Sequence, residues 1–338
     1  MKKIQFAVVG YGRIGKRHAM MVLENPEAEL VAVIDTEPSL LANVKAVFDV
    51  PFFTSVDDFL ASGLPADVVS VCTPNHLHAP ICVQAMDAGF HVICEKPMAL
   101  KKADCEAMIE RSLKLGKLVF VVMQNRYSPP SRWLKEMVDS GRLGQLYHIQ
   151  INCFWNRDER YYSTSPWKGK LEMDGGTLFT QFSHYVDMMY WLFGDVTNEH
   201  ASFRNFNHEG QTDFEDSGAI TFDFLSGATG VFNFSTSVYR SNFESTLCII
   251  AEKGTIKVGG QYMEKVIYCD VDGYEMPELP PSNPPNDYGT YKGSAANHSY
   301  VIQNVIDTLK GDATVTTNAM EGLKVVEIIE RFYAFRAL

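Results

Sequence analysis

The sequence predicts an α/β protein with two domains: an N-terminal doubly wound parallel sheet and a C-terminal α+β domain with a mainly antiparallel sheet. Over the first 123 residues, apolar runs alternate with helical patterns at the intervals of βαβ units. Beyond residue 123, strand patterns come in hairpin pairs beside a few helices. A chain of 338 residues also suits two domains at roughly 150 residues each. We therefore expect domains at residues 1–123 and 124–338.

The first domain is predicted from apolar runs, several of them continuous, as in strands that are buried on both faces. The predicted strands cover residues 4–9, 29–34, 68–72, 91–94 and 118–123. The predicted helices between them cover residues 14–23, 79–88 and 103–115. Gly89 and Gly116 follow the last two helices and suit the left-handed residue that often ends a helix.

The second domain mixes both patterns. Its predicted helices cover residues 129–138, 177–193, 298–309 and 320–335, and a long strand covers residues 145–155. Two hairpins are predicted, the first from residues 219–224 and 229–235 and the second from residues 245–251 and 255–258. Residues 272–294 contain five prolines and are predicted to form a loop.

Composition excludes several classes of protein. Lys and Arg number 30 against 41 Asp and Glu, and a net charge of −11 argues against general binding to nucleic acid or anionic membranes. The seven cysteines lack C-x-x-C spacing, so we expect reduced thiols, no metal site and a cytoplasmic location. The apolar run near the N-terminus is too short for a signal peptide, and no run reaches the roughly 18 residues of a membrane helix.

A glycine-rich motif follows the first predicted strand and opens the first predicted helix. The motif is Gly10-Tyr11-Gly12-Arg13-Ile14-Gly15, a G-x-G-x-x-G sequence. Its glycines let the backbone approach a pyrophosphate at the helix N-terminus. Asp35 ends the second strand 20 residues beyond Gly15, where a carboxylate accepts hydrogen bonds from ribose hydroxyls and repels a 2′-phosphate. The pattern predicts NAD as cofactor, in preference to NADP or to a glycine turn without a ligand.

Two further strand ends belong to the same predicted edge, because ligands of such sheets bind beyond the carboxyl ends of the strands. The third strand leads into Thr73-Pro74-Asn75-His76-Leu77-His78, and the fourth into Glu95-Lys96-Pro97. The cofactor-side residues predicted here are Thr73, Asn75, His78, Glu95 and Lys96. A lysine after a buried strand is usually a plain surface residue, but this position favours a functional role for Lys96. The alternative for His78 is that it only lines the loop.

Together these motifs resemble the Gfo/Idh/MocA oxidoreductase family. The resemblance covers nearly the whole chain and rests on residues 10–15 with His18, on residues 73–78 and 95–97, and on Gly175-Gly176-Thr177 leading to His184 and Asp187. It implies a Rossmann domain joined to a domain with a large open sheet. It also implies hydride exchange between a nicotinamide and a sugar or cyclitol alcohol.

Within this family the chain resembles UDP-N-acetyl-2-amino-2-deoxyglucuronate dehydrogenases, which oxidise the sugar at C3. The segments that carry this resemblance are residues 120–126, 152–157, 161–162, 167–169, 174–176, 183–187 and 250–255. One position departs from the pattern. Four residues before the histidine the family often has Asp and this subgroup Asn, whereas this chain has Thr180, which cannot act as a carboxylate base.

The resemblance makes His184 the base that removes the hydroxyl proton, since imidazole titrates near neutral pH. Asp187 follows three residues later on nearly the same helix face. By spacing alone, His184 would also fit a core histidine that a backbone carbonyl satisfies. Lys96 could orient the hydroxyl, stabilise alkoxide character or share the proton, and the sequence leaves these roles open.

Cationic and aromatic residues of the second domain suit a substrate with a diphosphate, a carboxylate and a stacked uracil. The predicted substrate-binding residues are Arg126, Arg157, Tyr162, Lys168, Thr180 and His298, with Gln124 and Trp167 on the cofactor side. The alternative is a solvated loop with ordinary surface charges, because Asp158 and Glu159 lie among these cations.

Three functional hypotheses follow. The first is a UDP-sugar 3-dehydrogenase, the second a dehydrogenase of a free sugar, inositol or glycoside, and the third a non-catalytic NAD-sensing regulator. Lys96 and His184 favour an enzyme, because a regulator would not need both. Residues 231–235 place Phe232 and Phe234 on one strand face and leave the other only mildly polar, so we also expect a homo-oligomer, either a dimer or a tetramer.

Overall fold

The structure is a computed structural model that describes residues 2–289 and 291–336. Two compact units divide the chain: unit 1 contains residues up to 122 and residues 298–326, and unit 2 contains residues 123–297 and those from 327 onward. This division differs from the sequence-based one at residues 298–326. The physical reason is an apolar helix face, since the helix His298–Lys310 buries Val301, Ile302, Val305 and Ile306 and packs beside the first helix of unit 1.

Helices and strands alternate through the first third of the chain and separate afterwards. In chain order the helices are α1 (Arg13–Glu24), α2 (Leu41–Val47), α3 (Val56–Ala61), α4 (His78–Asp87), α5 (Lys102–Leu115), α6 (Pro129–Asp139), α7 (Glu159–Tyr162), α8 (Leu171–Asp174), α9 (Ser183–Phe193), α10 (His298–Lys310) and α11 (Ala319–Tyr333). The strands are β1 (Ile4–Val9), β2 (Ala28–Ile34), β3 (Phe52–Phe53), β4 (Val68–Val71), β5 (His91–Cys94), β6 (Val119–Val121), β7 (Leu146–Phe154), β8 (Val196–Arg204), β9 (Ser217–Phe224), β10 (Thr229–Ser235), β11 (Glu244–Ala251), β12 (Gly254–Gly259), β13 (Lys265–Val271), β14 (Pro285–Asp287) and β15 (Lys292–Ala295). Within the described ranges, no helix has both the length and the apolar character that crossing a membrane requires.

Unit 1 is built on a six-stranded sheet in the order β3-β2-β1-β4-β5-β6, in which every neighbouring pair is parallel. This confirms the predicted doubly wound parallel sheet. The chain reverses its direction across the sheet between β1 and β4, and ligands of such sheets bind beyond the strand ends at that point. The predicted motifs at residues 10–15, 73–78 and 95–97 follow β1, β4 and β5 and therefore share this edge.

Unit 2 contains a seven-stranded sheet in the order β13-β12-β11-β7-β10-β9-β8. Only the β7–β10 pair is parallel among these neighbours, which confirms the expected mainly antiparallel sheet. Along β7 the buried residues Ile149, Ile151 and Cys153 alternate with half-buried ones, and Phe232 and Phe234 of β10 are also buried. One face of the sheet therefore forms the core of the unit.

Residues 272–294 differ from the predicted loop. They include β14 and the first part of β15, which pair with each other in an antiparallel ladder. The prediction was wrong for these short strands because it rested on proline content, and Pro285 stands at the first position of β14, where a strand tolerates proline. Asn286 is buried there and donates from Nδ2 to the carbonyl of Ala295.

Candidate active site

The glycine motif lies at the point where β1 meets α1 and packs tightly on its surroundings. A Cβ at Gly15 would fall 1.7 Å from the carbonyl oxygen of Gly10, and a Cβ at Gly10 would fall 2.8 Å from that of Cys72. A Cβ at Gly12, in contrast, would meet no atom within 4 Å. The outer two glycines therefore close the turn, while Gly12 leaves open space at the N-terminus of α1. That cradle fits the pyrophosphate of a dinucleotide.

Asp35 follows β2 and is fixed beside the same turn. Its Oδ2 accepts a hydrogen bond of 2.6 Å from the backbone N–H of Tyr11, and its Oδ1 accepts one of 2.9 Å from that of Glu37. A carboxylate has about four lone-pair positions, so it can also accept from ribose hydroxyls. The residues of this edge thus fit NAD. Of the other predicted members of the motif, Arg13 is exposed and Ile14 is half-buried.

A buried charged cluster lies behind the Glu95-Lys96-Pro97 turn. His18 Nε2 lies 3.0 Å from Glu95 Oε1, and its Nδ1 lies 2.8 Å from the hydroxyl of Ser70. His298 Nε2 lies 3.6 Å from the same Glu95 oxygen. One ligand atom from each of His18, Glu95 and His298 falls within 4.8 Å of the others, a spacing that a metal ion could use. The absence of a metal stays a prediction.

Hydrogen bonds and charge set the protonation of this cluster. Burial alone would raise the pKa of Glu95, but the hydrogen bond and charge of His18, with the charges of His298 and Lys96, lower it to about 2. Burial lowers the pKa of His18, but its contacts with Cys72 and Glu95 outweigh this and raise it to about 10. Burial lowers the pKa of His298 to about 3 against the opposing charge of Glu95, aided by the charges of His18, Arg17 and Lys96. At neutral pH the cluster is a His18–Glu95 ion pair beside a neutral His298.

His78 connects the two polar turns of unit 1. Its Nδ1 lies 2.7 Å from the carbonyl oxygen of Pro97, and its Nε2 lies 2.9 Å from that of Thr73. Burial lowers the pKa of His78, but hydrogen bonds with Cys94 and the two carbonyls produce a net increase. Both ring nitrogens thus face the protein, which supports a bracing role and accounts for the buried position of this histidine. Lys96 next to Pro97 is half-buried and donates its backbone N–H to Glu95 Oε2 at 3.2 Å.

In unit 2, His184 stands on α9 directly after a π-helical turn, Leu178–Phe182. Sequence periodicity predicts a single helix over residues 177–193. It does not reveal the π-helical turn, because apolar residues continue through the turn from one side to the other. Such turns are rare and occur frequently at functional sites. Residues 174–189 are all buried except Thr180, which is half-buried, and His184 is 2% exposed. Thr180 is therefore the position at which this segment reaches outward.

Arg126 and Asp187 form a buried, two-pronged ion pair. Arg126 donates from Nε to Asp187 Oδ2 at 2.8 Å and from a terminal nitrogen to Oδ1 at 2.6 Å. Their side chains are 1% and 0% exposed, and the guanidinium lies 5.2 Å from the ring centre of Trp191. This geometry does not support the predicted substrate contact of Arg126. The Asp187 carboxylate, predicted beside His184, accepts both of these hydrogen bonds.

A cluster of aromatic rings surrounds Arg157 and Lys168. Arg157 is 2% exposed, and its guanidinium lies 4.8 Å from the ring centre of Trp155 and 5.3 Å from that of Tyr161. It donates to Gln181 Oε1 at 2.7 Å, and burial lowers its pKa. Lys168 places its Nζ 3.9 Å from the ring centre of Tyr161. Arg157 therefore organises the cluster from inside, whereas Lys168 is half-buried at its border, as is Trp167.

Two protein-family models together match most of the chain. A model described as "Oxidoreductase family, NAD-binding Rossmann fold" matches residues 4–123, and one described as "GFO/IDH/MocA C-terminal domain" matches residues 131–257. The WlbA dehydrogenase from Bordetella pertussis, solved in complex with NADH and UDP-GlcNAcA, is 32% identical with a TM-score of 0.89, and the alignment covers 99% of this chain and 96% of that one. The chain belongs to the Gfo/Idh/MocA oxidoreductase family.

Other family members that are similar to this chain act on different alcohols by name. A myo-inositol 2-dehydrogenase of Thermotoga maritima is 26% identical over 80% of this chain and 79% of its own length. A D-glucoside 3-dehydrogenase of Escherichia coli is 26% identical over 98% of this chain and 94% of its own length. The family membership confirms the prediction of an NAD-dependent dehydrogenase acting on CH–OH groups, with NAD as its cofactor.

The other predicted site residues described next are buried or half-buried polar side chains. Gln124 is buried and donates from Nε2 to the hydroxyl of Ser294 at 3.1 Å, while its Oε1 has no hydrogen-bond partner among the described residues. The Thr73 hydroxyl is likewise buried without such a partner in the described ranges. Both atoms can therefore receive a ligand. Tyr162 is 8% exposed and packs edge-on against His208, and Asn75 is buried in the turn after β4.

One residue of the site was missed by sequence reasoning. Asp174 ends α8 and is 1% exposed, and it accepts hydrogen bonds from the Thr180 hydroxyl and from the backbone N–H of Gly169. It belongs to the Asp174-Gly175-Gly176 segment that carries part of the family resemblance. No further signal in the sequence distinguishes it from an ordinary surface aspartate at a helix end.

Proposed function

We propose that this dehydrogenase oxidises a UDP-sugar, at C3 of a UDP-N-acetyl-hexosaminuronate. The observation that carries the proposal is the similarity to the WlbA dehydrogenase, which spans 99% of the chain at 32% identity and was solved with NADH and UDP-GlcNAcA. The inositol and glucoside dehydrogenases named above are each 26% identical. The border of the aromatic cluster in unit 2 adds support, because the Lys168 ammonium and the neighbouring aromatic rings suit a diphosphate and a stacked base.

Most residues that hold the cofactor in this proposal belong to unit 1, and Gln124 belongs to unit 2. Gly10, Gly12 and Gly15 accommodate the pyrophosphate, and Asp35 accepts hydrogen bonds from the adenosine ribose. Bound NAD supplies the acceptor for the hydride, which is chemistry that no side chain provides. Gln124 Oε1 and the Thr73 hydroxyl, each buried without a hydrogen-bond partner in the described part of the chain, offer polar contacts to the cofactor.

His184 and Lys96 handle the proton in this proposal. His184 removes it from the sugar hydroxyl as general base, and the Lys96 ammonium stabilises the negative charge that develops on that oxygen. The neighbouring Glu95 is ionised and paired with His18, so it fixes the backbone of the Lys96 turn through the N–H of Lys96. Tyr162, Lys168, Thr180 and His298 are proposed to contact the substrate, and Trp167 is proposed to lie on the cofactor side.

A second candidate is a dehydrogenase of a free cyclitol or glycoside. The similarity to the inositol and glucoside dehydrogenases supports it, since each is 26% identical to this chain. A thermal-shift measurement in saturating NAD distinguishes the two. UDP-N-acetylglucosaminuronate should raise the melting temperature more than myo-inositol or a methyl glucoside at equal concentration. Stabilisation by inositol or the glucoside alone would replace the first candidate by the second.

We further propose a cytoplasmic homo-oligomer. All seven cysteines are free thiols, which suits a reducing compartment. The sheet face opposite the core of unit 2 carries half-buried Gln150, Asn152 and Asn233, with a hydrogen bond of 3.0 Å from Asn233 to Asn152. A mixed face of this kind suits a subunit contact. Analytical ultracentrifugation should give a dimer or tetramer, and a monomer at micromolar concentration would contradict this.

A further inference from the structure

Thr180, the position that departs from the subgroup pattern, contacts Asp174 through its hydroxyl. Thr180 Oγ1 donates to Asp174 Oδ1 and lies 3.1 Å from the backbone carbonyl oxygen of Asp174. Asp174 itself is 1% exposed, and its second carboxylate oxygen accepts the backbone N–H of Gly169 at 2.8 Å. The Thr180 hydroxyl is therefore hydrogen-bonded to the carboxyl group of Asp174, although position 180 itself has no carboxyl group.

This arrangement fixes the direction of the Thr180 hydroxyl. The hydroxyl has one proton and donates it to Asp174 Oδ1, so that proton points toward the carboxyl group. Any other group that approaches Thr180 Oγ1 must then donate a proton to it.

Position 180 is also where a ligand can reach this segment. Thr180 is half-buried, while every other residue from 174 to 189 is buried. Asp174 also lies next to a residue that we place on the substrate side, because its carboxyl group accepts the backbone N–H of Gly169, the residue after Lys168.

We propose that Asp174 is a positioning residue that makes Thr180 an obligate hydrogen-bond acceptor, so that the site selects a substrate with a hydroxyl or amide N–H at this point. The inference rests on the proposed function. It accounts for the departure from the subgroup, since an asparagine at position 180 can donate its amide N–H to Asp174 and present its carbonyl oxygen outward. Thr180 and Asn thus offer the substrate the same acceptor.

A double-mutant cycle tests whether Asp174 acts through Thr180. Asp174→Asn keeps the shape and can still accept the Gly169 N–H, whereas Thr180→Val removes the hydroxyl at similar volume. Each single variant should lower kcat/KM for UDP-N-acetylglucosaminuronate about fivefold, as expected for one hydrogen bond. In the Thr180→Val background, Asp174→Asn should have less than about twofold further effect. Equal factors in both backgrounds would show that Asp174 acts independently of Thr180 and would overturn the proposal.

Three further variants serve as controls and rescue. Thr180→Ser and Thr180→Asn should stay within about threefold of the wild type, because both retain a group that donates to Asp174 and an acceptor that faces outward. Glu172→Gln should leave kcat/KM unchanged, since Glu172 is an exposed carboxylate in the same short helix. Loss of activity in Thr180→Asn equal to that in Thr180→Val would contradict the inferred polarity.

A measurement without substrate separates this inference from the proposed function. Neutron diffraction from deuterium-exchanged crystals locates the proton directly. We expect deuterium on Thr180 Oγ1, directed at Asp174, and none on the carboxylate. Deuterium on Asp174 would overturn the inference even if the UDP-sugar is oxidised. Failure of the wild type to oxidise any UDP-sugar, with the proton on Thr180, would instead overturn the substrate assignment alone.

Discussion

Replacing Arg126 by methionine tests whether its guanidinium stabilises the fold or binds the substrate. The ion pair with Asp187 is 1% and 0% exposed and contains two hydrogen bonds of 2.8 and 2.6 Å. Removing the cation leaves the Asp187 carboxylate buried without its countercharge, which typically costs about 3–5 kcal/mol. We therefore expect Arg126→Met to lower the free energy of unfolding by that amount. Urea denaturation with linear extrapolation measures it.

Two further variants make the result specific. Arg126→Met combined with Asp187→Leu should recover most of the loss, because an apolar pair of similar volume often replaces a buried ion pair at little cost. Lys170→Ala is the matched surface control, since Lys170 and Asp213 are 52% and 49% exposed at 3.5 Å, and it should cost less than about 1 kcal/mol. The reasoning is refuted if Arg126→Met unfolds like the wild type while its affinity for the UDP-sugar falls more than tenfold. Arg126 would then have the substrate role that the sequence suggested.

Three other predictions concern unit 1. Fluorescence titration should show tighter binding of NAD than of NADP, because Asp35 repels a 2′-phosphate, and equal or tighter NADP binding would disprove that role. Gly15→Ala should lower both the melting temperature and NAD affinity, since its Cβ would lie 1.7 Å from a carbonyl oxygen, whereas Gly12→Ala, with no atom within 4 Å, should lower NAD affinity alone. The pKa of His298 is about 3 in the folded protein, below its ordinary value of 6.5. Between these two pH values the unfolded chain binds a proton at His298 and the folded chain does not. Acidification from pH 6.5 toward 3 therefore destabilises the fold. His298→Gln should remove up to about 1.4 kcal/mol per pH unit of that slope in unfolding free energy, and an unchanged slope would show that His298 does not cause it.

Five of the six strands of unit 1 were predictable because they are largely buried and appear as apolar runs, whereas the two-residue strand β3 was not predicted. β8 and β13 of unit 2 were missed, and both are edge strands of the seven-stranded sheet. An edge strand has one neighbour and more solvent contact, so its sequence carries a weaker apolar pattern. Residues 298–326 were expected in the second domain, and the structure groups them with unit 1. The apolar face of α10 predicts that this helix packs against another element, but it does not reveal that the element is α1.

The site divides in the same way. The glycine motif and Asp35 were predictable because their geometry depends on residues close in sequence and on a known strand-turn-helix order. The ion pair of Arg126 joins two residues that are 61 positions apart in the sequence. An arginine whose partner is unknown fits a ligand contact equally well. The link between Asp174 and Thr180 spans only six residues, yet it depends on a helix end, two glycines and a π-helical turn that periodicity does not reveal. The catalytic roles of Lys96 and His184 remain predictions.

The most direct test of the central claim is the rate of NAD reduction with UDP-N-acetylglucosaminuronate in the wild type and in two variants. Lys96→Ala and His184→Asn should each lower kcat by about 10²–10⁴-fold. This factor is expected for a group that transfers the hydroxyl proton or stabilises the negative charge left on the oxygen. The dissociation constant of NAD should change little in His184→Asn, because His184 is assigned to the substrate hydroxyl. A His184→Asn enzyme within a few-fold of the wild-type kcat would contradict the account and make this histidine a structural residue.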